Sequence, residues 1–537
     1  MTRPSRAGTR LPKAAYRWAL KHLSMEGDTD LFPTPFELDA LLSQKGVLLP
    51  LLVHLDVANH TWRQGRRFLV PTGNLAFRSA TQLDPLDSIL FAALIRQYGS
   101  RIERARIPVA QQTVFSYRFS PTIDGRLFGV DSGWQEFWSA AHDAASKETC
   151  RYVAVLDVVD YYNQLYHHTI ENELIAKSVP KPAVRALLGL LGTLTHGASR
   201  GIPVGPHAAH LLAECAMDAV DRSLSSRNYA FCRYVDDILI FCPTKDAAEI
   251  AIFECAEILD RHQRLALQKK KVEILTAAEF RERATRMMVN QPMNPEEEEL
   301  LKIIRKHAGG SPYRNISLDN LTDDELKTLR STDLESLLEL YLTSVPVNYP
   351  RLAWLLRRLS QVAAPGGIKF VLQNISSLTP VLGDVGRYIV RAASNYETSA
   401  LESAGTAVLD SLELPLLNHS EYMQMVLLNL FARVPALDHT NRLTSRYQAA
   451  GAAARREIVS AAAAANAYQW LKERKDEFGT SDPWLRSAII AAAACFPGDE
   501  AKFWLRRVKR QLTPVERFVA RWATGSTAAE LGEQTLS

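Results

Sequence analysis

Cysteine is scarce in this sequence, six in 537 residues, and no two form a CxxC pair. Cys150, Cys215, Cys232, Cys242, Cys255 and Cys495 lack the spacing of a zinc ribbon or a disulfide framework, which leaves buried thiols in a reducing compartment. Long apolar runs are missing too. Val47 to Leu55 and Ala488 to Cys495 are too short to cross a bilayer, and the first carries Pro50 and His54. Arg3, Arg6, Arg10 and Lys13 make the N-terminus basic, but no signal-peptide core follows them. A cytoplasmic chain with no membrane partner is expected. Charge of one sign is absent as well: the formal net charge is +4, so a nucleic-acid groove would have to come from local basic patches. What remains, 47% hydrophobic and 23% charged residues, is a soluble globular composition long enough for two or three domains.

Texture divides the chain into residues 1–120, 121–285, a linker over 286–320, and 321–537. The first zone mixes helical and short extended stretches. In the second, Cys150 to Val159 (CRYVAVLDVV) reads as a buried strand, and Phe231 to Phe241 (FCRYVDDILIF) as two short strands around an Asp-Asp turn. Glu171 to Leu194 and Ala208 to Leu224 carry apolar residues at helical spacing, so an α+β arrangement around an antiparallel sheet is expected. The Glu296 to Glu299 run and the turn-rich Gly309 to Pro312 mark the linker. Beyond it the pattern is helical, with Pro and Gly at uneven intervals. No strict repeat is visible, and stacked helix pairs fit better than a compact bundle. Ala449 to Ala467 reads as a helix tightly packed by neighbours or a long solvated one.

Three acids carry the chemistry. Asp157 closes the buried strand, and Asp236 and Asp237 stand at the hairpin tip. Phosphoryl transfer from a nucleoside triphosphate uses two divalent ions about 4 Å apart, held by carboxylates on separate rigid elements. Taken alone, Asp236-Asp237 is as well read as a turn with two solvated acids; its weight comes from the motifs around it.

Those motifs, in order, resemble reverse transcriptases over about residues 20–285. LDVVDYYNQLYHH (Leu156 to His168) is similar to the first palm motif, GIPVGPHAAHLLAE (Gly201 to Glu214) to the second, RYVDD (Arg233 to Asp237) to the third and RLALQKKKVEIL (Arg264 to Leu275) to the fourth. AFRSATQLDPLDSILFAAL (Ala76 to Leu94) is similar to the fingers segment. GDTDLFPTPFE (Gly27 to Glu37), FSYRFSP (Phe115 to Pro121) and the LAE ending at Glu214 resemble the bacterial antiphage branch, the abortive-infection and defence-associated, AbiK-like enzymes. That branch follows its fingers and palm with an all-α HEAT-like repeat domain in place of a thumb.

The resemblance implies a DNA polymerase that adds deoxynucleotides with Mg²⁺ or Mn²⁺. It assigns the metal to Asp157, Val158, Asp236 and Asp237. Tyr162 falls at the steric gate against a ribose 2′-hydroxyl. Lys271 matches a lysine that protonates pyrophosphate, and Arg78 the arginine that clamps the triphosphate. Gly201, Pro203 and Gly205 belong to the nucleotide-site loop. For Lys271 the competing reading is a solvated basic stretch, and for Arg78 an exposed structural arginine. The branch further implies synthesis without an ordinary template, started from a protein hydroxyl, and a homo-oligomer. A tyrosine phenol can serve as that hydroxyl; Tyr313, Tyr341 and Tyr349 lie just past the palm. Its partners would be deoxynucleotides, single-stranded DNA product and, in the alternative, a templating non-coding RNA. Arg357-Arg358, Arg455-Arg456, Arg506-Arg507 and Lys509-Arg510, with Trp354 and Trp504, read either as a channel for product or as ion pairs over core rings.

Two departures stand out. Pro203-Val204-Gly205 replaces the usual proline-glutamine-glycine, and no ribonuclease H, maturase, integrase or endonuclease motif is found. A catalytically silent scaffold and an RNA-dependent RNA polymerase are the rival readings. Retention of all three aspartates counts against the first, and Tyr162 with Tyr234-Val235 before the acids against the second.

Overall fold

In a computed structural model, the described residues are 8–73, 75–129, 133–288, 295–308, 316, 318–331, 333–525 and 536. The Gly309 to Pro312 turn and Tyr313 lie outside them. The chain forms two compact units. The first comprises Met1–Thr29, Leu52–Arg66 and Thr81–Gln291; the second comprises Asp30–Leu51, Arg67–Ala80 and Pro292–Ser537. This corrects the linear division expected from texture, because residues 30–51 and 67–80 join the C-terminal helices.

Strands β1 (Arg66–Gly73) and β2 (Ala76–Gln82) form a two-stranded sheet. Four more strands, β3 (Tyr152–Asp157), β4 (Ala230–Tyr234), β5 (Asp237–Cys242) and β6 (Glu273–Thr276), make an antiparallel sheet in the order β4-β5-β3-β6. Val153, Val155, Leu239, Phe241 and Cys232 face a core shared with Phe137, Trp138, Ala141, Phe280 and Ala284. The helix Lys245–Gln263 also packs on β3 and β5, and the helix Ala209–Ser226 packs on that helix. Cover on both faces is why β3 and β5 read as nearly unbroken apolar runs rather than alternating ones. The expected hairpin is present, but its turn is Val235-Asp236, since Asp237 already pairs with Tyr234.

In the second unit, the helices Tyr349–Gln361, Leu382–Ala392, Glu421–Arg433, Ala452–Ala464, Pro483–Ala491 and Pro514–Thr524 each pack against the next. The Ala-rich segment is one of them, with Ala453, Ala454, Ile458, Val459, Ala461 and Ala462 buried. Small side chains let its neighbours approach closely, so the tightly packed reading applies. Residues 30–51 join this unit through specific contacts: Phe36 stacks on Trp522 at 6.2 Å, Gln44 Nε2 donates to the Phe518 carbonyl at 2.7 Å, and Arg456 bonds Glu37 at 2.6 Å.

The expected linker contains a helix, Pro295–Ala308, whose Leu300, Leu301, Ile303 and Ile304 are buried. Glu297, inside the run taken for a boundary, is fully buried and bonded to Arg351. Its partner lies 54 residues away, which no local pattern reveals. The product-channel reading of the basic pairs also fails in part. Arg456 is buried between Glu37 and Glu457, and Arg357 bonds Asp384 at 2.8 Å. Trp354 lies under Arg351, and Trp504 packs edge-on to Phe478, each only 8% exposed. Neither indole offers an open stacking face; Arg506, Arg507 and Arg510 stay exposed. No helix among the described residues is long and apolar enough to cross a membrane.

Candidate active site

Pairing in the first unit sets the positions of the acids. Asp157 is the last residue of β3 and lies directly opposite Asp237, the first of β5. Asp236 precedes it in the turn, and its carbonyl accepts the Val158 N–H at 3.3 Å. Two strands and one turn therefore bring to one end of the sheet acidic residues 79 and 80 positions apart in sequence.

Burial, followed by the negative charges of its neighbours, pushes Asp237 up to about 7; burial and Asp157 push Asp236 up to about 6. Such acids resist ionising together until a cation joins them. Hard oxygen donors on two backbone segments suit a divalent ion, so the residues fit the group. Val158 lends no side-chain ligand: it is 1% exposed and apolar, and only its carbonyl has a donor atom. Lys271 reaches the site, its Nζ 2.6 Å from Asp157 Oδ2. The hydrogen bond to Asp157 raises the Lys271 pKa, so the ammonium stays charged and able to donate.

Tyr162 belongs to the short helix Tyr161–Gln164, just after Asp160 with its positive φ of 44°. Its hydroxyl and His210 Nδ1 are 2.6 Å apart, and the His210 ring stacks on Tyr117 at 3.8 Å. His210, absent from the sequence reading, fixes the expected gate. Gly201 and Gly205 have φ of 105° and 128°, which an L side chain rarely adopts. Gly201 N–H donates to the Leu165 carbonyl at 2.8 Å, and Ile202 N–H to that of Tyr162 at 2.8 Å. The loop through Pro203 is thereby tied to the Tyr162 segment. At Val204, where glutamine was expected, the backbone carbonyl accepts the Thr81 N–H at 2.7 Å.

Arg78 belongs to the second unit, exposed on β2, where it lines a cavity of about 390 Å³ with Asp30, Tyr349, Arg357, Asp384 and Tyr422. Tyr341 is 3% exposed and bonded to Glu297 at 2.5 Å, which removes it as an accessible priming hydroxyl. Tyr349 is half-buried, with its hydroxyl 3.4 Å from the Ser377 carbonyl. Among the described residues, the set of metal-binding residue types whose ligand atoms all lie within 4.8 Å of one another is His22, Glu26 and His207, in the first unit; the Asp157, Asp236 and Asp237 carboxylates are spaced more widely than that. In that set His22 Nδ1 lies 2.7 Å from the Gly125 carbonyl and 3.4 Å from Glu26, the contacts of a hydrogen-bonded pair.

An antiparallel sheet that places two acids opposite each other, a third in the adjoining turn and a lysine beside them is an arrangement that can support metal-assisted phosphoryl transfer. Residues 101–307 match the reverse transcriptase (RNA-dependent DNA polymerase) family. The chain thus contains a reverse transcriptase domain, an RNA-directed DNA polymerase of the nucleotidyltransferase class. No curated protein matches the chain. Similar solved structures include telomerase from Candida albicans in complex with a telomeric RNA fragment, at 11% identity and TM-score 0.30, covering 69% of this chain and 67% of that one. Apo telomerase from Candida tropicalis, at 8% identity and TM-score 0.32, covers 68% and 69%.

Proposed function

We propose that this protein is an antiphage reverse transcriptase that makes DNA from deoxynucleotides, with Asp157, Asp236 and Asp237 holding Mg²⁺. The observation that carries the polymerase site is the pairing of Asp157 with Asp237, with Asp236 in the adjoining turn. Bound divalent ions supply activation of the attacking hydroxyl and charge neutralisation at the leaving pyrophosphate. Lys271 donates a proton to that pyrophosphate. The Tyr162 ring, braced by His210, excludes a ribose 2′-hydroxyl, and Gly201, Pro203 and Gly205 shape the nucleotide loop. Arg78, on its exposed strand, contributes a guanidinium for phosphate.

The antiphage role rests on the resemblance of Gly27 to Glu37, Phe115 to Pro121 and the LAE motif to the abortive-infection branch. With it come protein-primed, template-independent synthesis, a HEAT-like reading of the successive helices and a homo-oligomer. Of the two candidate priming tyrosines among the described residues, Tyr349 is the half-buried one, its hydroxyl 3.4 Å from the Ser377 carbonyl. RNA-templated synthesis is the alternative.

The test incubates purified protein with each labelled dNTP or NTP and Mg²⁺, without added primer, then treats the product with protease. A dNTP-dependent product that is lost in Asp236→Ala and shifts with protease is expected. No incorporation with any nucleotide or co-purifying RNA would overturn the polymerase reading. Unchanged mobility after protease would overturn protein priming. Equal phage protection by wild type and Asp157→Ala would overturn the catalytic basis of defence.

A further inference from the structure

The turn that carries Asp236 is built on an unfavourable residue. Val235 has φ of 56°, a left-handed conformation that a β-branched side chain strongly resists. Two-residue hairpin turns with positive φ at the first central position normally place glycine there. Something outside the turn must hold Val235, and both of its backbone polar groups are in fact gripped. Its N–H donates to Ser116 Oγ at 2.9 Å, and its carbonyl accepts from Arg233 Nη1 at 2.7 Å.

Neither partner is free to move. Ser116 is fully buried, and its hydroxyl donates to Glu214 Oε1 at 2.5 Å. Arg233 is fully buried as well. It bonds both Asp221 oxygens, at 2.6 and 2.7 Å, and Glu214 Oε2 at 2.9 Å. Arg106 bonds the same Glu214 oxygen, Oε2, at 2.6 Å and also bonds Glu103, which pairs with Arg118. Three guanidinium groups thus meet three carboxylates, the matched condition under which buried charge is tolerable. The peptide on either side of Ser116 is anchored too: Phe115 N–H donates to the Arg233 carbonyl at 3.0 Å, and Arg106 Nη2 to the Ser116 carbonyl at 2.8 Å.

We propose that Ser116 and Arg233, backed by Glu214 and Asp221, are positioning residues that hold Val235 left-handed and thereby set where Asp236 and Asp237 present their carboxylates. The proposal rests on the reading of those aspartates as metal ligands. A clamped valine and an unclamped glycine can both make this turn, but only the first makes it rigid. Groups that orient metal ligands typically change affinity by about ten- to a hundred-fold when removed.

Two measurements on the full chain test the clamp: Mn²⁺ binding by calorimetry, and single-nucleotide incorporation against Mg²⁺ and dNTP concentration. Ser116→Ala keeps the packing nearly intact. It is expected to weaken Mn²⁺ binding about ten-fold and to lower kcat about as much, with KM for dNTP within about two-fold. Val235→Gly, which needs no clamp, is expected to bring Ser116→Ala back to within about three-fold of Val235→Gly alone. Arg233→Lys keeps the charge but not the fork, and is expected to resemble Ser116→Ala or to be worse. Unchanged Mn²⁺ affinity in Ser116→Ala, or strict additivity with Val235→Gly, would overturn the clamp. Loss of Mn²⁺ binding in Asp236→Ala beside an unaffected Ser116→Ala would leave the metal-site reading standing and remove only this one. If wild type itself fails to bind Mn²⁺, both readings fall.

Discussion

Both units bury arginines against carboxylates, but the networks end on different things. In the first unit, Arg233, Glu214 and Asp221 finish on the backbone of the turn carrying Asp236. In the second, Glu297 joins the helix Pro295–Ala308 to Tyr349–Gln361 through Arg351, and Arg456 joins Ala452–Ala464 to Phe36–Ser43 through Glu37. The chemistry is shared; one network fixes a reactive geometry, and the others staple helix to helix. Breaking the first kind should therefore harm catalysis beyond its effect on folding, whereas breaking the second kind should act through stability.

The largest effect lies at the acids themselves. Asp157→Ala or Asp236→Ala should lower incorporation by roughly three orders of magnitude, read per folded molecule. Because each removes one of several repelling charges, the melting temperature should hold or rise. In the second unit, Arg351→Met strands Glu297 in the core and should destabilise by about 3–5 kcal/mol, measured by denaturant titration. Arg351→Met with Glu297→Leu should recover most of that loss; failure to recover would mean the pair does more than staple.

Asp28 sharpens the contrast, as a first-unit acid held by the Ser88 hydroxyl at 2.9 Å rather than by a guanidinium. Burial pushes it up to about 6, against the Ser88 bond and the charge of His22. Its folded pKa lies above the ordinary 3.8, so the folded state holds the proton more tightly. Its contribution is present at low pH and is lost as pH rises from about 4 to about 6. Asp28→Asn should flatten that slope and add about 1 kcal/mol at pH 7–8, with little change at pH 4. Equal slopes in the two proteins would remove Asp28 as the source.

The smallest effect is at Tyr162, the proposed gate. Tyr162→Phe loses the hydrogen bond to His210, about 1 kcal/mol, and should keep its preference for dNTP over NTP. Tyr162→Ala should lose that preference, measured as a ratio of kcat/KM values.

The elements that local pattern controls were legible in the sequence. The β3 run, the hairpin around Asp236 and the helices beyond residue 320 follow from apolar periodicity. Three things were not. Glu297 sits in a run of four glutamates, and nothing nearby marks it as the buried one. Residues 30–51 and 67–80 join the second unit through partners hundreds of positions away, among them Phe518 for Gln44 and Arg456 for Glu37. Ser116, Glu214 and Arg233 lie inside stretches whose likeness to a family was visible, but their meeting around Val235 spans 98 and 119 residues. A valine also gives no warning of a left-handed turn. Trp354 and Trp504 as stacking faces were misjudged because nearness to arginines in sequence says nothing about which way a ring points.

The opposition of Asp157 and Asp237 has a consequence for the length of the chain. Across paired strands, the separation of two side chains is fixed by counting residues, and an offset of one sends every later side chain to the opposite face. One residue added between Asp237 and Ile238 would present Leu239 and Phe241 to the wrong layer, even with every original amino acid retained. In this molecule, spelling is negotiable in many places, but inside two short strands the reading frame of the fold is not.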